Sequence, residues 1–413
     1  MERKKLGSLA AGVSTVLVLA ATLWPVPNAA PQSVGFCILC GDLGTLDFLN
    51  NVALFVPLGA ALTRAGSSRS RVVLAGLFLS GLVEVLQFAV PGRDPAVGDV
   101  VANTLGTWLG AVSPGFLRSL TRARGARAQR LLAMYALCFG LLLTGMAVMV
   151  RPDLPASPDL YGQIAPVRRD LAPFPGTIER VLFADMPLHN ERLPMDRRKA
   201  EELLSRGYTF VADVQETQLP YGKRVAIARV VGERAEFAML GMQDGCILYR
   251  QRLLSARLRL RGVTIAACHE VAIPPQRLHI EAGYRKDSLY VRGISTAADV
   301  RYAVALSAGL GWVAFLPLEV PLTGWEKGVA FLVFGCLGLP FGLLCARALQ
   351  GPAKPSHAWR TILLIATALT GALLVVLTLL GAVNPGTPAV TGTVAGVFVG
   401  FFALQLPFRF RGN

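Results

Sequence analysis

The sequence predicts a multi-pass α-helical membrane protein of eight or nine spans, with an extracytoplasmic, jelly-roll-like antiparallel β-sandwich set between two helical groups. Three observations lead there. First, 53% of the 413 residues are hydrophobic and only 16% are charged, with a mean hydropathy of +0.50, whereas a soluble domain carries about 25% charged residues. Second, stretches near the roughly 20 apolar residues needed to cross a hydrocarbon core occur in two clusters. Third, residues 151–301 between them hold 23 Lys/Arg and 18 Asp/Glu and no long apolar run. The net charge of +15 belongs in cytoplasmic loops of such a protein, facing anionic lipid and not nucleic acid.

The first cluster, residues 1–150, offers five spans: Leu6 to Trp24, Phe48 to Leu62, Val72 to Val90, Val97 to Phe116 and Leu131 to Val150. The first of these reads as an uncleaved anchor or as a signal peptide, because Met1 to Lys5 is basic and Pro27 to Ala30 is small enough to be cleaved. The second cluster, residues 302–413, offers three or four: Tyr302 to Leu318, Val329 to Leu349, Ile362 to Val383 and Val390 to Phe408. Tyr302 to Leu318 spans, re-enters or lies at the interface. Arg64, Arg69 and Arg71 join spans two and three, and Arg118, Arg122, Arg124, Arg127 and Arg130 join four and five, while the opposite loops carry only Arg93. This asymmetry puts the amino terminus inside the bacterial plasma membrane and residues 151–301 outside it.

Ionisable groups within spans cost about 2.5–3.5 kcal/mol on translocon scales and therefore mark function or internal pairing. Asp47 and Asn51 begin the second span; Ser80, Glu84 and Gln87 share a face of the third; Asp99, Asn103, Gly106 and Gly110 share a face of the fourth. Gly106 and Gly110 make a small-residue seam for close helix packing, and Gly59 is assigned the same role. With the orientation above, Asp47, Glu84, Gln87, Arg93, Asp94 and Asp99 fall near one extracytoplasmic level. A purely structural reading pairs Arg93 with one acid and uses the amides as interhelical glue. The carboxyls outnumber the one Arg, however, so at least one is protonated, solvated or neutralised by something bound.

The blocks Asp47-x3-Asn51-x3-Phe55-x-Pro57-x-Gly59, Glu84-x2-Gln87, Pro91-Gly92-Arg93 and Asp99-x3-Asn103-x2-Gly106-x3-Gly110 resemble the VanZ-like family in order and spacing. That family is named for a glycopeptide-resistance accessory protein linked to teicoplanin. The resemblance implies an integral envelope protein and no particular reaction. Asp47-x3-Asn51 and Asp99-x3-Asn103 also look alike, as in a two-helix internal repeat.

Residues 151–180 read as a Pro-rich lead-in and Arg197 to Arg206 as a short helix. Alternating strands follow, mainly over 205–295: Tyr208 to Val214, Arg224 to Val231, Glu236 to Gln243, Cys246 to Leu253, Arg277 to Tyr284 and Ser288 to Gly293, with turns at Asp244-Gly245 and Lys286-Asp287. Tyr208-Thr-Phe-Val-Ala-Asp-Val, Glu236-Phe-Ala-Met-Leu-Gly-Met-Gln-Asp-Gly and His279-Ile-Glu-Ala-Gly-Tyr resemble concanavalin A-like, laminin G-like sandwiches. That resemblance implies glycan binding outside the cell; the plainer reading of the same residues is a folded spacer or protein-contact module.

Cys246 and Cys268 pair if their Cβ atoms approach within about 4.5 Å, while Cys37 and Cys40 form a small disulfide loop or stay free. Cys138, Cys336 and Cys345 act as small apolar residues. His189, His269, His279 and His357 are scattered. No metal spacing, phosphate loop or nucleophile elbow is present, and no cofactor or catalytic residue is assigned. The leading expectation is a non-enzymatic protein binding a lipid-linked or amphiphilic envelope ligand at Asp47, Asn51, Glu84, Gln87, Arg93, Asp99 and Asn103. The alternatives are a membrane-embedded enzyme acting on a polyprenyl-linked substrate, with Arg93 gripping its phosphate, and a proton-coupled transporter.

Overall fold

A computed structural model describes residues 2–25, 38–39, 41–93, 95–157, 159–168, 171–215, 222–233, 235–268, 277–296, 298–348 and 386–402. The apolar runs of the first cluster form α1 (Glu2–Leu23), α2 (Gly44–Arg64), α3 (Arg69–Gln87), α4 (Val97–Arg122) and α5 (Gly125–Met149). After a short α6 (Arg197–Arg206) come α7 (Glu326–Ala348) and α8 (Thr387–Phe402). Among the described helices, α1, α2, α3, α5 and α7 are long and apolar enough to cross a membrane. The fourth expected span, α4, is absent from that set. It buries Asn103 and Thr107 against α2 and α3 and is correspondingly more polar. The expected span at Ile362 to Val383 lies outside the described residues.

Tyr302 to Leu318 is not a transmembrane helix. Tyr302 belongs to β11 (Asp299–Ala305), and Ala308–Phe315 forms a 3-10 helix whose residues 308–314 are all buried. That helix packs on α5, where any Cβ on Gly311 would collide with Met146. A segment enclosed by protein is as apolar as one enclosed by lipid, so its composition does not distinguish the two.

Two antiparallel sheets make the sandwich. One has the order β1-β5-β6-β7-β8 and the other β11-β10-β9-β4-β2-β3, from β1 (Tyr161–Ile164), β2 (Thr177–Phe183), β3 (Met186–Pro187), β4 (Tyr208–Gln215), β5 (Arg224–Val231), β6 (Glu236–Gln243), β7 (Cys246–Gln251), β8 (Val263–Cys268), β9 (Arg277–Arg285) and β10 (Ser288–Ile294) together with β11. The strands therefore run from 161 to 305, beyond the expected 205–295. The Pro-rich lead-in contributes β1, which pairs with β5, and β2, which pairs with β4. The expected domain edge at 301 falls inside β11.

Alternation explains β4, which buries every second side chain. The central positions of β5 and β6 are buried on both faces, because Leu171 packs on Ala226 and Met239 from outside. Phe183, Tyr208, Phe210, Phe237 and Tyr249 fill the space between the sheets, with Phe183 edge-on to Tyr208 and Phe237. Their buried hydroxyls are satisfied: Tyr249 Oη donates to Tyr208 Oη at 2.9 Å and Tyr208 Oη donates to Gln251. Asp244 and Gly245 both take positive φ, as a two-residue hairpin turn requires. Cys246 and Cys268 lie opposite each other on β7 and β8 and form a disulfide.

The sandwich and the helices share one apolar core, from Leu46 and Phe139 through the sheets to Phe334 and Ala389. At the junction Leu46 N donates to Arg259 O, and Arg259 Nη1 donates to Leu39 O at 2.7 Å. Arg261 donates through Nε to Leu316 O and through Nη2 to Pro317 O, both at 2.8 Å. Nearby, Glu319 meets Arg224 and Arg250. Burial works to raise its carboxyl pKa, but Arg250 and Arg224 prevail and hold it below the usual range.

Helices α2 and α4 touch backbone to backbone. A Cβ on Gly59 would strike Thr107 O, one on Gly106 would strike Val52 O, and one on Gly110 would strike Val56 O. Gly106→Val is expected to lower the stability of the detergent-solubilised protein by about 1–3 kcal/mol, read as a drop in thermal midpoint. Gly140→Ala, where a Cβ meets only open space, serves as the control, its midpoint equal to or slightly above that of wild type. Equal midpoints for wild type and Gly106→Val would mean that the bundle does not depend on this contact.

Candidate functional site

The three polar stripes face one another at one end of the first bundle. On α2, Asp47 stands in the first turn, where a carboxylate suits the positive end of the helix, and Asn51 follows one turn later. Asn51 Nδ2 donates to Asp99 Oδ1 on α4 at 2.8 Å. One turn further along α4, Asn103 Nδ2 donates to Ser80 Oγ on α3 at 2.8 Å. The partners of the two asparagines therefore differ, and the suggested α2/α4 repeat does not extend to them.

Glu84, on the last turns of α3, accepts from the backbone N–H of Ala96 at 2.8 Å. That amide precedes α4, so the carboxylate ties the end of α3 to the start of α4. Gln87 Nε2 donates to Thr22 O on α1 at 3.1 Å. Arg93, in the α3–α4 turn, pairs with no acid among the described residues. Its Nε donates to Trp24 O at 3.0 Å and its Nη2 to Ala21 O at 2.7 Å. A guanidinium there satisfies carbonyls that the end of α1 leaves open and complements the negative end of its dipole. Among the described residues, Asp47, Glu84 and Asp99 form no ion pair.

These groups surround a single cavity of about 1090 Å³. Asp47, Asn51, Glu84, Gln87, Arg93, Asp99 and Asn103 all line it. Leu17, Ala53, Leu54 and Pro57 supply an apolar wall from α1 and α2, and Pro317 reaches the cavity from beyond the sandwich. Asn103 is 1% exposed, and its Oδ1 is buried with no hydrogen-bond partner. Asp94 lies outside the described residues, as do Cys37 and Cys40. Gly59, Gly106 and Gly110 stand behind the cavity and set the α2–α4 distance.

Sequence reasoning missed the contributions of Ala21, Trp24 and Thr22, which act through main-chain oxygens and carry no residue-type signal. It also missed Pro317, more than two hundred residues from the other lining groups. The bundle that holds the cavity is also the part of the chain with recognisable relatives. Residues 10–118 match the model of the VanZ/LLP1 family. The match takes in α2, α3, most of α1 and α4, and every lining residue named above except Pro317. No curated protein and no solved structure matches the chain. The VanZ-like region is thus a helical unit with its polar residues turned inward onto one cavity, joined to a sandwich that the family model does not cover.

If Arg93 closes the end of α1, then Arg93→Ala is expected to weaken that end by about 1–2 kcal/mol and to raise amide deuterium uptake over residues 18–25. Glu84→Gln should leave uptake there unchanged. Unaltered uptake in Arg93→Ala would place the guanidinium elsewhere.

Proposed function

We propose that this chain is a VanZ-like protein of the bacterial plasma membrane that holds an amphiphilic or lipid-linked envelope ligand in the α1–α4 cavity without transforming it. The observation that carries this reading is the cavity itself: polar at its head, apolar along the α1–α2 wall, and lined by residues of four helices. Uncompensated carboxylates in a membrane-embedded cavity favour binding over helix packing as their purpose. The engagement of Arg93 with two main-chain oxygens weighs against an enzyme that uses it to grip a phosphate.

The sandwich is read as extracytoplasmic, in contact with surface glycan or protein. Basic loops on one side of the first bundle support that orientation, and so does the Cys246–Cys268 disulfide, because such bonds persist outside the reducing cytoplasm. A concanavalin A-like ancestry fits the two antiparallel sheets.

Native mass spectrometry of protein extracted from its own membrane in mild detergent tests the ligand reading. Wild type is expected to carry a co-purified amphiphile that Asp99→Asn and Glu84→Gln lose while keeping their helical circular dichroism. A bare wild-type protein, or a species retained equally by both variants, would remove the basis for it. For orientation, a variant with the other five cysteines replaced by Ser should react at Cys246 and Cys268 with an impermeant maleimide on intact cells, and only after impermeant reductant. Reaction only after permeabilisation would put the sandwich in the cytoplasm.

A further inference from the structure

Resting on the reading of the α1–α4 cavity as a ligand site, we propose that its ligand presents a protonated amine to the cavity head, in place of a phosphate or other anion. The hydrogen-bonding inventory points that way. Asn51 gives one of its two amide N–H groups to Asp99, Asn103 gives one of its own to Ser80, and Arg93 turns two of its five N–H groups, on Nε and Nη2, to the carbonyls of α1. Among the lining side chains the acceptors that remain are the Asp47 carboxylate, the second oxygens of Glu84 and Asp99, and Asn103 Oδ1.

Two of these acceptors belong to side chains more than nine-tenths buried, Glu84 at 8% exposure and Asn103 at 1%. The Asn103 oxygen has no partner among the described residues, and a buried unpaired acceptor in lipid surroundings costs free energy until a donor reaches it. Three carboxyl groups stand against two guanidiniums, Arg93 and, near Asp47, Arg261, so acids outnumber bases at the head of the cavity and a cation is favoured there over an anion. An ammonium brings three N–H donors and no acceptor. The apolar wall at Leu17, Leu54 and Pro57 then accommodates a hydrocarbon chain attached to it.

The test uses three single-chain probes that differ only in the head: dodecylamine, dodecyl phosphate and dodecanol. Each is titrated by native mass spectrometry into wild type, Glu84→Gln, Asp99→Asn and a blocking variant, Ala53→Trp. Ala53 lines the cavity and is exposed to it, so the indole fills space without displacing core residues. Dodecylamine is expected to bind wild type at 1:1 and at least about tenfold more tightly than dodecyl phosphate, and to lose about tenfold in each carboxylate variant. Dodecanol is expected to change less than about twofold between wild type and these variants. Ala53→Trp should abolish saturable binding of the amine.

Dodecyl phosphate binding as tightly as the amine, with both blocked by Ala53→Trp, would overturn the amine assignment and leave the cavity as a site. No saturable binding of any probe, or binding indifferent to Ala53→Trp, would overturn the reading of the cavity itself. A thermal midpoint for Ala53→Trp within a few degrees of wild type certifies that the variant is folded.

Discussion

The bundle depends first on the backbone contact between α2 and α4. Where Gly59, Gly106 and Gly110 meet opposing carbonyls, the two helices approach closer than any side chain would permit. At that separation a short amide on α2 spans the gap to a carboxylate on α4, and α3 docks on the other flank through Ser80 and Asn103. Hydrocarbon offers polar atoms no alternative partner, so the stripes turn inward together. Their carboxyl groups, which form no ion pair among the described residues, collect around the cavity at the head of the bundle.

The sandwich is bound to that head by more than tethers at its ends. Arg259 and Arg261 grip the main chain on both sides of the junction, at Leu39 and at Leu316 and Pro317. The segment that carries Pro317 into the cavity wall continues to Glu319, clasped by Arg224 and Arg250 of the first sheet. It then reaches Glu326, which accepts from Tyr302 at 2.5 Å and from the Gly324 amide at the start of α7. The cavity wall, the sheet and the second helical group therefore share one short stretch of chain.

Much of this was legible beforehand where the physics is local. The length of an apolar run sets whether a helix can cross a bilayer, and α1, α2, α3, α5 and α7 follow from it. Alternation with period two identified β4, β9 and β10, and turn residues identified the β6–β7 and β9–β10 hairpins. Short strands escaped for stated reasons: β1 has four residues and borders only β5, and β11 is an edge strand within a sequence apolar enough to pass for a span. The polar residues of the cavity were recognisable because ionisable groups at three- and four-residue spacing inside apolar runs are expensive and share a helix face.

Sequence alone thus determined which segments are long and apolar enough to cross a membrane, where the regularly alternating strands lie, and which polar residues are costly enough to need partners, because transfer free energy and helix or strand period act within a few residues of chain. Tertiary structure decided who those partners are. Asn51 meets Asp99 while Asn103 meets Ser80; Arg93 serves the carbonyls of α1 and not an acid; Pro317 closes a wall built from the first hundred residues. Each of these depends on the path of the chain between distant segments, and main-chain oxygens, the partners that Arg93 and Gln87 found, look the same in every residue.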